Sequence, residues 1–199
     1  MDLQIQGFTD TAVRPHLQAL AELRIGVFRE WPYLYEGSLE YEARYLESYL
    51  APRALVVLAL DGHRVVGAST ALPLSAHQDA ASPVLSAAGY DPDGIYYFGE
   101  SVLLPEYRGR GVGRRFFEER EQAARRFGYA LAAFAAVERP QSHPLCPADY
   151  VGHESLWTKR GFVKHPELVT TFSWKDIGQD VETQKPMVFW LKTMSAATV

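Results

Sequence analysis

Residues 94–128 read GIYYFGESVLLPEYRGRGVGRRFFEEREQAARRFG, and this stretch decides the fold of the chain. An apolar run of the kind that forms a buried strand leads into a turn rich in glycine and arginine. After the turn, one face of a predicted helix carries Val112, Phe116, Ala123 and Phe127. The first N–H groups of that helix lack intrahelical acceptors, and the helix dipole and nearby arginines add positive charge. The stretch therefore predicts a binding site for a polyanion at the start of the helix.

The spacing of the glycines narrows the class of ligand. A nucleoside-triphosphate loop needs G-x-x-x-x-G-K-S/T, whereas here Gly113 is followed by two arginines, so that class is excluded. Gly109 and Gly111 begin a dinucleotide fingerprint, and Glu138 lies roughly where a ribose-binding acid is expected. However, Arg114 replaces the last glycine, and nearly half of the chain precedes a turn that normally lies near the start of its domain. A dinucleotide-binding oxidoreductase is therefore a distant alternative.

The pattern R-x-x-G-x-G at 108–113, between an apolar strand and a helix, resembles the signature of the GNAT N-acetyltransferase superfamily. The resemblance extends over most of the chain, through two early helices, a hairpin, a further strand and closing strands. The late helix ends in LWTKRGF at 156–162, which is similar to the family's L-Y-x-x-x-G-F. The resemblance implies a single α/β domain over residues 1–199, with three layers and a mixed central sheet of about six or seven strands flanked by helices.

Local patterns place the other elements. Apolar spacing predicts helices at 15–28, 38–50 and 149–160, and a hairpin of strands 54–60 and 64–72 joined by Asp61-Gly62. Further strands are predicted at 3–6, 129–137, 162–174 and 187–194. Gly67 indicates a bulge or a close approach within its strand. The segment 73–94 reads as a loop with a short helix, a place for a substrate-shaping insertion.

The resemblance implies that acetyl-CoA is the co-substrate. In GNAT enzymes the pyrophosphate lies on the amides of the glycine turn, and the pantetheine arm lies on free backbone groups of the preceding strand. The coenzyme-binding residues implied here are Val102, Leu103, Leu104, Arg108, Gly109, Arg110, Gly111, Val112, Gly113 and Arg114. The implied reaction is acetyl transfer to a primary amine of a small molecule or peptide, by direct attack in a ternary complex.

Amine attack needs a base, because an alkylammonium has a pKa of about 10.4. Glu100 is the candidate, since it is an acid inside an apolar strand directly ahead of the coenzyme-binding segment. A bulge, which GNAT strands carry in this region, decides the face on which Glu100 emerges. The general acid is less clear in the pattern: Trp157 stands where the family often has a tyrosine, and Tyr150 replaces the usual asparagine seven residues earlier. The Tyr150 hydroxyl is the candidate proton donor; the alternative is that the thiolate, whose thiol has a pKa of about 8.5, leaves without one.

The missing tyrosine favours an alternative to an enzyme. In that reading the chain is a non-catalytic GNAT-fold module that senses acyl-CoA or presents an interaction surface. The acceptor side is predicted from the aromatic segment WPYLYEG at 31–37, where Tyr33, Tyr35 and Glu36 suit a cationic amine. The competing explanation is that these aromatics only pack the early helices on the sheet.

Composition excludes several other classes. A net charge of −4 argues against general nucleic-acid binding, and no apolar run approaches the roughly 20 residues of a membrane span. The first ten residues lack the pattern of a signal peptide, so we expect a cytoplasmic protein. His143, Cys146, His153 and His165 lack the paired spacing of zinc sites, so no metal is expected. A homodimer is compatible with the family.

Overall fold

The structure is a computed structural model that describes residues 3–77 and 81–194. The strands are β1 (Leu3–Thr9), β2 (Leu55–Asp61), β3 (Arg64–Pro73), β4 (Ile95–Leu103), β5 (Leu131–Val137), β6 (Val163–Trp174) and β7 (Thr183–Thr193). The α-helices are α1 (Leu17–Phe28), α2 (Leu39–Leu46), α3 (Ala81–Ala87), α4 (Val112–Arg126) and α5 (Glu154–Lys159). Short 3-10 turns cover Asp10–His16, Glu47–Leu50, Leu74–Ala76, Pro92–Gly94 and Pro105–Tyr107.

The seven strands form one mixed sheet in the order β1-β2-β3-β4-β5-β7-β6. β4 and β5 are parallel and are connected through α4, while the other neighbouring pairs are antiparallel. The predicted α/β fold with about six or seven strands is therefore confirmed. The expected bulge near Gly67 is also present, because the β2–β3 register shifts between Ala59 and Leu60.

Two apolar clusters cover the two faces of the sheet, as three layers require. The first cluster joins α1, α2 and α3 to the sheet and includes Leu20, Leu46 and Phe189. The second cluster packs α4 on the other face and includes Phe116 and Phe162. Both faces of the central strands are therefore covered, and Glu100 on β4 is buried.

The predicted bulge in β4 is present and sets the face of Glu100. Phe98 pairs with Ala71 and Ser101 pairs with Ser69, so Gly99 and Glu100 together oppose Thr70. One extra residue in β4 reverses the alternation of side chains beyond it. Tyr97 and Val102 are five positions apart, so they would lie on opposite faces of a regular strand. Because of the bulge, both belong to the first cluster. Glu100 lies on the face covered by α1 and α2.

The predicted helix at 149–160 is shorter in the structure. It begins only at Glu154, and its N-cap residue His153 makes no side-chain cap hydrogen bond. Gly152 directly precedes this N-cap residue, and glycine has a low helix propensity. Tyr150 consequently lies in the loop between β5 and α5.

Candidate active site

A gap between two parallel strands organises the site. β4 and β5 pair only at Ile95 with Leu131, Tyr96 with Ala132 and Tyr97 with Ala133. Beyond these positions the two strands, both fully described, form no further pairs. The gap opens toward the carboxyl ends of the strands, where β4 leads into the glycine turn.

Backbone groups of β4 are available at this gap, but fewer than predicted. The Leu104 N–H donates to the Val66 carbonyl at 2.9 Å, so it faces β3 and is not free. Since backbone groups alternate sides along a strand, Val102 also faces β3, whereas Ser101 and Leu103 face the gap. Of the three residues expected to bind a ligand through the backbone, only Leu103 faces the gap.

The glycine turn presents the amides of the α4 N-terminus. Gly109 and Gly111 have φ values of 75° and 78°, and α4 begins at Val112. A side chain at position 111 would strain this left-handed conformation. The first helical bond runs from the Arg115 N–H to the Gly111 carbonyl at 3.2 Å. The preceding amides, including that of Gly113, have no helical acceptors and are left for an anion such as a phosphate.

The arginines of the turn have partners within the protein. Arg108 Nη1 lies 2.8 Å from a carboxylate oxygen of Glu30, and its Nε donates to the Leu103 carbonyl. Arg110 donates to a backbone carbonyl at 2.8 Å, and Arg114 pairs with Glu118, one turn along α4. These pairs are exposed, and such pairs stabilise by about 0–1 kcal/mol, so a phosphate can replace them.

A cavity of about 130 Å³ reaches the gap from the α1 and α2 face. Gly99 and Glu100 of β4 and Ala135 of β5 line it at the gap. Its wall is mostly aromatic and contains Phe28, Tyr33, Tyr35, Tyr41, Tyr45, Tyr97, Phe172 and Trp174. The cavity therefore reaches the strand gap, and the glycine turn with the start of α4 follows from the carboxyl end of β4.

Glu100 is buried in this pocket, with 6% of its surface exposed. Its Oε2 lies 2.6 Å from Arg24 Nη1 and accepts hydrogen bonds from Tyr45 at 3.0 Å and Tyr49 at 3.3 Å. Its Oε1 is also buried, and it has no hydrogen-bond partner among the described residues. One oxygen thus fixes the carboxylate, and the other is left for a ligand in the cavity.

Arg24 joins two buried acids. Its Nε lies 2.5 Å from Glu42 Oε2, while its Nη1 contacts Glu100. Burial acts to lower the pKa of Arg24, but the negative charges that face it, led by that of Glu100, raise this pKa well above its usual value. Arg24 therefore stays charged. Two carboxylates share one guanidinium on the pocket side of the sheet.

The hydroxyls around Glu100 stay protonated. Burial, and after it the charge of Glu100, raises the pKa of Tyr33 to about 12. The same two causes raise the pKa values of Tyr45 and Tyr49 well above their usual range. Tyr45 and Tyr49 therefore act as hydrogen-bond donors to Glu100 near neutral pH.

The aromatic segment at 31–37 is held against the sheet. The Tyr33 carbonyl accepts hydrogen bonds from Arg139 at 3.0 Å and from the Trp174 indole at 2.9 Å. Arg139 binds both carboxylate oxygens of Asp176, which also lies 3.2 Å from Lys185. Although burial acts to raise the pKa of Asp176, hydrogen bonds from these two cations lower it. The ion pairs fix the wall that carries Tyr33.

The predicted acceptor residues divide into two groups. Tyr33 and Tyr35 line the cavity with Glu100. Glu36 is not among its lining residues, and it pairs instead with Arg29 at 2.6 Å. The acid that the pocket presents is therefore Glu100.

Tyr150 and Trp157 lie away from the cavity lining. Tyr150 is 37% exposed and contacts the edge of Trp31, with ring centroids 6.1 Å apart. Trp157 packs on Phe134 and Trp190 at 5.1 and 5.0 Å, which is a core role. Trp157, at the position where the family motif often has a tyrosine, therefore contributes packing contacts.

Sequence reasoning missed Arg24, Glu42, Tyr45 and Tyr49, which hold Glu100. The buried position of Arg24 could have been predicted from its spacing. Arg24 lies four residues from both Leu20 and Phe28, so it falls on the apolar face of α1. A charged residue there requires a buried partner.

The histidines and the cysteine form no metal site in the part of the chain that is described. Within residues 3–77 and 81–194, no group of three His, Cys, Asp or Glu side chains is arranged to hold a metal ion. The His143 ring packs on Trp31 with centroids 5.1 Å apart, and Cys146 Sγ lies 3.7 Å from the Pro147 carbonyl. No helix in the same ranges is long and apolar enough to cross a membrane.

Comparison with known proteins agrees with this geometry. The sequence profile of the Acetyltransferase (GNAT) family matches residues 19–147. No curated protein sequence is significantly similar to the chain.

Solved structures share the fold at low identity. The ribosomal-protein-alanine N-acetyltransferase of Brucella melitensis is 17% identical, with a TM-score of 0.62 over 96% of this chain and 99% of that one. The polyamine N-acetyltransferase of Drosophila melanogaster, which forms N-acetylagmatine, is 15% identical, with a TM-score of 0.61 over 96% and 100%. The PaiA N-acetyltransferase of Thermoplasma acidophilum, solved with coenzyme A, is 15% identical, with a TM-score of 0.55 over 97% and 99%. At these identities the likeness shows a common fold.

Proposed function

This chain belongs to the acetyl-CoA-dependent GNAT N-acetyltransferase family, and we propose that it acetylates a primary amine of a small molecule or peptide by direct attack in a ternary complex. The observation that carries this proposal is the buried Glu100 Oε1, which has no partner among the described residues. Glu100 lines the cavity at the gap between β4 and β5, next to the cradle of amides. In this proposal the base lies at the strand gap, and the polyanion site lies on the turn that follows β4.

The residues of the gap and of the turn fit acetyl-CoA. The amides of Val112, Gly113 and Arg114 would hold the pyrophosphate, with Arg108 exchanging its exposed partner Glu30 for a phosphate. The gap-facing backbone of β4 would hold the pantetheine arm. When bound, acetyl-CoA supplies an activated thioester carbonyl.

Glu100 acts as the base in this proposal. Its Oε1 accepts a proton from the acceptor's ammonium, while Arg24, Tyr45 and Tyr49 hold Oε2 in place. The neutral amine then forms the C–N bond as the C–S bond breaks. The products are an amide, a thiol and one proton released to solvent.

Tyr150 is the proposed proton donor to the departing thiolate. Burial and the charge of Glu154 raise the pKa of its hydroxyl, so it stays protonated. The helix that follows its loop reaches the cradle, because a Cβ at Gly113 would lie 3.6 Å from Leu156.

Binding of the coenzyme is tested by thermal unfolding with and without acetyl-CoA, using NADH as a control polyanion. Ligand at 100 times its Kd adds about 2.7 kcal/mol, which raises the Tm of a domain of this size by roughly 5–11 °C. We expect a shift with acetyl-CoA alone. An equal shift with NADH would mean that the cradle binds polyanions without preference, and it would contradict the proposed coenzyme site.

Turnover is tested by thiol release on a panel of primary amines. We expect Glu100→Gln to lower kcat/KM by about 100-fold or more while the Kd for acetyl-CoA stays unchanged. Glu106→Gln, at an exposed acid near Arg64, is the matched control and should be neutral. Tight acetyl-CoA binding without turnover on any amine would instead support the non-catalytic sensor.

Two further expectations stay predictions. A cytoplasmic location agrees with a chain that has a single cysteine. A homodimer is tested by light scattering coupled to size-exclusion chromatography, where a mass of about 22 kDa instead of twice that value would contradict it.

A further inference from the structure

We propose that the acceptor is a small primary monoamine with an apolar body, and that the Glu42–Arg24–Glu100 cluster makes the pocket reject acceptors that carry a carboxylate. This inference rests on the proposed function, since it names the substrate class of the same site. Three observations carry it: the charge of the cluster, the orphaned oxygen of Glu100 and the composition of the cavity wall.

The cluster leaves one negative charge on the pocket side of the sheet. Glu42 is fully buried, Glu100 is 6% exposed, and Arg24 is the one guanidinium that contacts both carboxylates. Arg120 approaches from the opposite face, where its Nη1 lies 3.5 Å from the backbone carbonyl of Glu100 and not from the carboxylate. Its guanidinium is enclosed there by the rings of the second cluster. On the pocket side of the sheet this cluster therefore has one more carboxylate than guanidinium, while Arg120 offsets part of the charge of Glu100 from the other face.

The negative charge of the cluster would meet the ammonium of the acceptor at one atom, a carboxylate oxygen of Glu100. A buried carboxylate oxygen without a donor is unfavourable, and an ammonium group relieves it by a charge-assisted hydrogen bond. Glu100 Oε1 is that oxygen. Arg24 also lines the cavity, but its Nε and Nη1 already contact two acids, so only Nη2 remains for an incoming carboxylate. A negative group on the acceptor would meet a net negative cluster.

The rest of the cavity wall selects the body of the acceptor. Beyond Glu100 it is formed largely by apolar and aromatic side chains, including Tyr97, Phe172, Trp174 and Met187. Glu100 is the sole carboxylate among the described lining residues, so a second ammonium would be desolvated without an acid to pair with. The volume of about 130 Å³ is well below the roughly 300–1,000 Å³ of pockets for drug-sized ligands. A compact body with one charge fits these limits.

Matched amines test the inference. Phenylalanine is 2-phenylethylamine with an added carboxylate, and 1,4-diaminobutane is butylamine with an added ammonium. We expect kcat/KM for 2-phenylethylamine to exceed that for phenylalanine by about 100-fold or more, and butylamine to exceed 1,4-diaminobutane by about tenfold. Calorimetric Kd values for the same amines, measured on the protein saturated with coenzyme A, should follow the same order without any chemistry.

A charge variant tests the role of the cluster. Glu42 does not line the cavity, and Glu42→Gln removes one negative charge while it keeps a hydrogen-bond acceptor for Arg24. We expect this variant to reduce the preference for 2-phenylethylamine over phenylalanine by about tenfold. Glu40→Gln on the same helix is the control, because its carboxylate is exposed, and it should leave the preference unchanged.

The outcomes separate the two proposals. If amines are acetylated but phenylalanine is used as well as 2-phenylethylamine, the inference on the acceptor is overturned and the proposed function stands. An unchanged preference in Glu42→Gln would overturn the role of the cluster. If acetyl-CoA binds and no amine reacts, the proposed function fails and the acceptor class falls with it.

Discussion

Gly99 is the position at which a single added methyl group should disturb the site most. A Cβ there would overlap the Tyr49 hydroxyl and would lie 2.5 Å from Thr70 Oγ1. Tyr49 cannot easily withdraw, because it is fully buried and its hydroxyl contacts Glu100 and Tyr45. Overpacking of this kind costs about 1–3 kcal/mol, and a clash with two held groups places Gly99→Ala at about 2–3 kcal/mol.

The assays are thermal unfolding and equilibrium unfolding in urea, together with steady-state turnover. At this chain length we expect the Tm of Gly99→Ala to fall by roughly 4–12 °C. Turnover should fall further than stability alone explains, because the Tyr49 hydroxyl that must move also orients Glu100. Gly26→Ala is the matched control, since a Cβ at this exposed position of α1 meets nothing within 4 Å. It should stabilise the protein by about 0.8–1 kcal/mol.

A second variant makes the reasoning refutable. Tyr49→Phe removes the overlapping oxygen, so the double variant Gly99→Ala/Tyr49→Phe should be less destabilised than the sum of the two single changes, by about 1 kcal/mol. A Gly99→Ala protein as stable as the wild type would show that the close packing at the bulge is incorrect. Strict additivity would show that the Tyr49 hydroxyl is not the clashing group.

Three further outcomes follow from the ion pairs and the turn. Gly111→Ala and Gly128→Ala both place a Cβ at a positive φ and should cost about 1 kcal/mol each, but calorimetry should show weaker acetyl-CoA binding for Gly111→Ala alone. Asp176→Asn should destabilise the protein by about 3 kcal/mol at pH 7. The fold lowers the pKa of Asp176, so this stabilisation is present above the unfolded pKa of about 4 and is lost as the pH falls through the folded pKa. In acid denaturation, the difference in stability between Asp176→Asn and the wild type should therefore shrink below about pH 4. Arg24→Met leaves two buried carboxylates without their cation and should cost about 3–5 kcal/mol, and the double variant with Glu42→Gln should recover part of this loss in chemical denaturation.

The coenzyme side of the site was largely predictable from sequence. The glycine turn and the start of α4 depend on neighbours within a few residues, so periodicity and motif spacing locate them. The arginine side chains were less predictable, because Arg108 turns toward Glu30 of a distant loop. The backbone of Leu104 was also misjudged, since its pairing with Val66 depends on the register of β3 against β4.

The acceptor side was less predictable for the same reason. Tyr33 and Tyr35 were located because an aromatic run in a loop is visible in the sequence. Glu36 was chosen with them as the acid, but it pairs with Arg29 instead. The acid that lines the cavity, Glu100, is on another element, and Glu42, which shares Arg24 with it, looked like an ordinary charge near a helix start.

The sequence by itself determined the order of strands and helices, the glycine cradle and the family of this chain, because these follow from local periodicity and from a motif a few residues long. Only the tertiary structure decided which face Glu100 occupies, which of its oxygens is left for a ligand and what charge the pocket carries. Those properties depend on a one-residue bulge opposite Thr70 and on contacts of Arg24 with acids on α2 and β4. The physical reason is that a shift of one residue reverses the face of a strand, and that a buried charge is defined by partners far away in the chain.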